Sequence, residues 1–182
     1  IHTVGFIGSP YGSRTNTLND LLENGIKCDL YSESFFRKGY NTSMGGNKKF
    51  DAKDVYIKAS RYLRFPIGRK VLYSTILNKF KKGSNLHLSS KFVELHHSVS
   101  DEDMCKLYSS FTLSLNISAL RDTYILKKPI PKIHLRTFEI PMSGGLEFTS
   151  YNPEIASYFE DGKEIVLYHD KDEMIDKAKY YL

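Results

Sequence analysis

Short apolar runs alternate with amphipathic stretches along most of this chain. Residues 3–8 gather Val4, Phe6 and Ile7 and stop at Gly8, the pattern of a buried strand. Residues 14–24 then carry Leu18, Leu21 and Leu22 along one side of a helix that Gly25 ends, and residues 26–31 return to strand. Further strands are predicted at residues 91–96, 111–116, 145–150 and 164–169. Between them, a helix opens at Ser100 with Glu102 and Asp103 in its first turn and Met104, Leu107 and Tyr108 as its apolar face. Residues 134–143 predict another, whose Leu135, Phe138 and Met142 are expected to face the sheet before Gly144 stops it. Residues 152–159 predict a helix with Pro153 at its first position, and residues 170–181 a last one with acids early and lysines late. Strands separated by helices in this way predict an α/β fold with a doubly wound parallel sheet, Rossmann-like.

The alternation breaks between residues 33 and 90. Glycines, asparagines and lysines make residues 33–53 irregular and solvated. From Val55 the period turns helical, with Ile57, Tyr62 and Phe65 apolar among basic residues until Pro66 breaks it. A second helix follows, with Val71, Leu72, Ile76, Leu77 and Phe80 apolar. This stretch is an insertion of basic helices in an otherwise single domain over residues 1–182.

Charge sharpens that picture. Residues 37–91 hold 14 Lys and Arg against Asp51 and Asp54, a net of +12, whereas the remainder holds 12 basic against 19 acidic residues, a net of −7. These basic amphipathic helices read first as a cover for the sheet with lysines on the wet face, and second, over residues 55–82, as helices that lie on an anionic membrane surface. Nucleic acid ranks behind both, because no nucleic-acid-binding motif accompanies the charge. Cys28 and Cys105 lack metal or redox spacing and read as small buried hydrophobes of a reducing compartment. Nothing precedes the first strand that resembles a leader, and no apolar run reaches the ~20 residues that span a bilayer. A cytoplasmic protein, peripheral at the inner face of the membrane if the basic helices bind there, is the expectation. A start without methionine and an end within a helix suggest a piece of a longer chain.

Candidate chemistry lies in two places. The loop from Gly8 through Ser9 to Arg14 follows the first strand and opens a helix, where backbone N–H groups and the helix dipole favour a phosphate and an arginine adds a bidentate contact. It is neither a dinucleotide-binding glycine motif nor a Walker loop, so a plain turn remains open. The second place is Arg136 and Glu139, three apart on one helix face, readable as an exposed ion pair or as ligand groups. His97 and Ser98 follow one strand and Asn116 ends another, at the sheet edge where ligands of such folds bind. His96 and His97 point to opposite sides of a strand and cannot share a metal.

Arg136-Thr137-Phe138-Glu139, then Gly144-Gly145, then Asn152-Pro153-Glu154-Ile155, together with the first-strand loop and residues 99–104 and 115–118, resemble the spore-maturation, CgeB-like glycosyltransferases. These belong to the wider GT-B retaining group, in which two Rossmann-like domains face each other. The resemblance implies that this chain is the C-terminal, donor-binding half and is inactive without an N-terminal one. It implies a nucleotide sugar as donor and a glycan, lipid-linked or protein acceptor. Glu139 and Arg136 would be the catalytic pair, and Gly8, Ser9, Arg14, His97, Ser98, Asn116, Phe138, Gly144 and Gly145 would bind the donor. No cofactor and no metal is expected. Pro131 stands eight positions before Glu139, where the wider group often carries an acid, which leaves retention or inversion open. A non-catalytic nucleotide-binding or membrane-surface module on the same fold is the alternative.

Overall fold

A computed structural model describes residues 2–36, 52–80, 86 and 91–182. Six strands form one all-parallel sheet: β1 (Val4–Ile7), β2 (Cys28–Tyr31), β3 (Val93–His96), β4 (Leu113–Asn116), β5 (Glu147–Ser150) and β6 (Ile165–Tyr168). Their spatial order is β3-β2-β1-β4-β5-β6. The chain therefore winds outward from β1 in one direction, returns to the middle, and winds outward from β4 in the other. The helices are α1 (Ser13–Glu23), α2 (Ala52–Leu63), α3 (Pro66–Phe80), α4 (Asp101–Ser110), α5 (Arg136–Met142) and α6 (Lys171–Tyr181). The fold is α/β and Rossmann-like, as the alternation predicts.

Period-two alternation sorts the strand residues between the two faces of the sheet. Val4, Phe6, Leu30, Leu113 and Leu115 meet Leu18, Leu21 and Leu22 of α1 and Met174, Ile175 and Ala178 of α6. Ile7 and Phe111 face the other way and join Tyr108 of α4 and Ile140 of α5. Gly5 on that side has no room for a side chain: a Cβ there would fall 2.0 Å from the Phe111 ring. Ser100 caps α4 by accepting from the Asp103 N–H, and Asp170 caps α6 by accepting from the Glu173 N–H.

Four expectations are corrected. In α5 the buried residues are Thr137 and Ile140, while Leu135, Phe138 and Met142 are 72%, 38% and 85% exposed. The helix has only seven residues with Pro141 inside, and the packing of Ile140 against Tyr108 and Phe111 sets its rotation. Residues 152–159 form a single 3-10 turn, Ile155–Ser157, because Ile155 is their one buried apolar side chain and the buried Asn152 accepts at Oδ1 from the Glu154 N–H at the turn's start. Cys28 is buried, and burial pushes its thiol up to about 12, but Cys105 is exposed on the outer side of α4. Finally, α3 is no sheet cover; it packs on α2 and on the 3-10 turn Arg121–Ile125. No helix among the described residues is long and apolar enough to cross a membrane.

Candidate functional site

The winding reverses between β1 and β4, and the crevice beyond the carboxyl ends of those two strands is where such sheets hold ligands. A hollow of about 510 Å³ opens there. One wall is the loop after β1, with Gly8, Ser9, Tyr11 and Arg14. Asn116 at the end of β4 contributes to the lining, and the start of α5 supplies the opposite wall with His134, Leu135, Arg136 and Glu139.

Cationic groups dominate this space. Arg14 sits over the Tyr11 ring, 4.9 Å from its centroid, and its Nη1 donates to the Ser9 carbonyl at 3.2 Å. Burial lowers its pKa; the nearby Tyr11 works against that and the Arg136 charge adds to it. Arg136 reaches across to Gly8, where a Cβ would stand 3.0 Å from Nη1; glycine is thus what lets the guanidinium lie over the loop, and its φ of +146° suits no other residue well. His134 is held below the usual histidine range by burial first, then by Lys132, Arg14 and Arg136. Of the two readings of Arg136 and Glu139, the surface ion pair does not form. Among the described residues neither they nor Arg14 has a salt-bridge partner. Two guanidiniums share a partly dry hollow with one carboxylate, an arrangement that lowers its energy by taking in an anion.

Beneath the hollow lies a polar network that the sequence reading missed. Asn116 Nδ2 donates to Glu147 Oε1 at 2.6 Å and to Thr137 Oγ1 at 3.1 Å, so both its amide hydrogens are spent and only Oδ1 is left. Glu147 is fully buried on β5 and its other oxygen has no hydrogen-bond partner among the described residues. Burial raises its pKa to about 7, offset in part by the bonds from Asn116 and Thr137. The available signal was an acid between Leu146 and Phe148 at the start of a predicted strand.

Of the residues singled out in the sequence, Gly8, Ser9, Arg14, Asn116, Arg136 and Glu139 line one hollow. His97, Ser98, Phe138, Gly144 and Gly145 do not. His97 Nδ1 contacts Glu33 Oε2 at 3.1 Å and its ring stacks on Phe36, at the far end of the sheet beside β3. Ser98 follows it there. Phe138 turns outward to an edge contact with Tyr158. Gly144 takes a φ of +77° to end α5, and a Cβ on Gly145 would lie 2.5 Å from the Tyr108 carbonyl oxygen, so the glycine pair serves packing against α4. The Gly8 N–H is also committed, to the Tyr31 carbonyl at 2.9 Å, and cannot serve a ligand.

One group among the described residues could hold a metal, Asp29, Glu94 and His96 on β2 and β3. It lies off the hollow, and Glu94 is already paired with Lys27 at 2.7 Å.

A family model described as glycosyl transferase-like matches residues 69–182. The match takes in α3 through α6, and with them Asn116, His134, Arg136 and Glu139. No curated protein and no solved structure matches the chain.

Proposed function

The chain belongs to the glycosyl transferase-like family, and from that premise we propose that it is the donor-binding domain of a GT-B glycosyltransferase of the CgeB-like group, holding a nucleotide sugar in the hollow between β1 and α5. The observation that carries this reading is that the guanidiniums of Arg14 and Arg136, neither with a salt-bridge partner among the described residues, face one space with Glu139.

In glycosyl transfer the bond from the anomeric carbon to the diphosphate oxygen lengthens, the sugar becomes oxocarbenium-like, and negative charge collects on the leaving nucleoside diphosphate. Arg14 and Arg136 neutralise that charge. They are already placed and partly shielded from water, so little reorganisation is needed when the charge develops. The Ser9 N–H, at the mouth of the loop, is the backbone donor of this site. Glu139 accepts from hydroxyls of the ribose or sugar, and Asn116 offers its Oδ1 to a further hydroxyl or N–H. With these cations in place of a metal, transfer is metal-independent. The acceptor, a glycan, lipid or protein, comes from across the hollow on a facing domain.

Isothermal titration of the chain with UDP, GDP and their sugars tests the reading. One nucleoside diphosphate binds with measurable heat, and Arg136→Ala or Arg14→Ala weakens it at least about tenfold, the worth of one charge-assisted contact. Glu139→Ala weakens the nucleotide sugar but not inorganic pyrophosphate, which has no hydroxyl to offer. Absence of heat with every nucleotide, or affinities indifferent to the arginines, contradicts it.

A further inference from the structure

The α2–α3 hairpin is built inside out. The stripe of α3 that faces the protein is small or polar: Gly68, Val71 and Ser74 are buried, Thr75 Oγ1 and Asn78 Nδ2 each donate to Asp122 at 3.0 Å, and Asn78 Oδ1 accepts from the Tyr124 hydroxyl at 2.8 Å. Gly68 lies so near Tyr62 of α2 that a Cβ would fall 2.1 Å from its carbonyl oxygen, which fixes the crossing of the two helices. The opposite side carries bulky apolar side chains among Arg69, Lys70 and Lys79 and faces water. Tyr73, Ile76 and Phe80 of α3 are 58%, 56% and 85% exposed, and Tyr56, Leu63 and Phe65 of α2 and its turn extend the patch. Soluble helices turn the other way, with apolar residues inward. So many large apolar side chains exposed on one helix pair mark a docking site.

Charge decides what docks. Residues 55–80 contain Lys58, Arg61, Arg64, Arg69, Lys70 and Lys79 and not one Asp or Glu. Arg61, Arg64, Arg69, Lys70 and Lys79 are exposed alongside the apolar residues. Bulky aliphatic and aromatic side chains interleaved with long cationic ones, with Asp54 in the first turn of α2 as the one acid of the hairpin, match a surface with hydrocarbon below and anionic headgroups above. The basic stems lie along the apolar layer while their charges reach the headgroups, and the tyrosines place rings and hydroxyls across the same boundary. We infer that the outward face of the α2–α3 hairpin docks this protein on an anionic lipid bilayer, lying in the interface rather than crossing it. The clamp through Asp122 and Tyr124 holds that face fixed relative to the rest of the domain: the Tyr124 ring stands against Gly12, 3.1 Å from where a Cβ would sit, on the loop that walls the hollow. Docking does not depend on which donor the hollow takes.

Co-sedimentation of the full chain with vesicles of phosphatidylcholine alone, and of phosphatidylcholine mixed with phosphatidylserine, tests this. Vesicles with phosphatidylserine carry the protein down, and binding weakens as salt rises. Arg69→Glu with Lys70→Glu lowers the partition coefficient by at least about tenfold. Tyr73→Ser with Phe80→Ser does the same, and far-UV circular dichroism stays unchanged because all four side chains are exposed. Equal binding to both vesicles, no binding to either, or indifference to both variants overturns the inference. So does a dimer in light scattering that Tyr73→Ser with Phe80→Ser dissolves, since the face then belongs to a second copy.

Discussion

Glu147 shows how much one residue can govern in this domain. Its carboxyl is fully buried, and its folded-state pKa stands near 7 against an ordinary 4.5 because burial disfavours the charge. A carboxyl raised in this way holds its proton more tightly folded than unfolded. Its contribution to stability is therefore complete below about 4.5, falls as pH climbs through about 7, and stays lost above that. The loss is on the order of 3 kcal/mol from the size of the shift. Urea unfolding at about pH 5 and about pH 8 should show the wild type weaker at the higher pH, and Glu147→Gln should flatten the difference. A wild type equally stable at both would remove the buried ionisable carboxyl from the account. At this scale the sequence was legible where chemistry follows chain position: Gly8, Ser9 and Arg14 after the first strand, and Arg136 with Glu139 on one helix. It was not legible where a side chain's task is set by residues far along the chain. Asn116 is tied to Glu147 from another strand, and the Gly8 N–H is used by Tyr31 across the ladder.

Two elements carry a lesson about periodicity. Both α5 and α3 form where the apolar spacing predicts, yet Leu135, Phe138 and Met142 at the first and Ile76, Leu77 and Phe80 of the second face water, and of α3's apolar set Val71 is the buried one. Periodicity identifies a stripe, not which side of it the rest of the protein occupies. In α5, Ile140 and Thr137 decide the rotation; in α3, the hydrogen bonds of Thr75 and Asn78 with Asp122 and Tyr124 decide it, and these couple residues more than forty positions apart. The clamp is testable by itself. Asn78→Ala leaves Asp122 and Tyr124 each short of a partner and should cost about 1–3 kcal/mol. Hydrogen exchange should place the loss in α3 and the Arg121–Ile125 turn, with the sheet strands as protected as before. Uniform loss of protection over the whole sheet would mean that the hairpin is no separately anchored unit.

At the scale of the whole molecule, the alternation of strands and helices announced a parallel α/β sheet, but the order β3-β2-β1-β4-β5-β6 depends on which strands pair and no local pattern encodes it. That order brings residues near 8, 116 and 136 to a common rim and sends His97 and Ser98 to another, which is why only part of the candidate site converges. It also places the apolar, basic hairpin beside the loop that walls the hollow, through the contact of Tyr124 with Gly12. A crystal structure of the chain with the nucleoside diphosphate it binds reveals whether a pyrophosphate lies between Arg14 and Arg136. Phosphate oxygens within hydrogen-bond distance of both guanidiniums, with ribose or sugar hydroxyls on Glu139, are the predicted result. A nucleotide seated beside β3 against His97, with the hollow left to solvent, would contradict it.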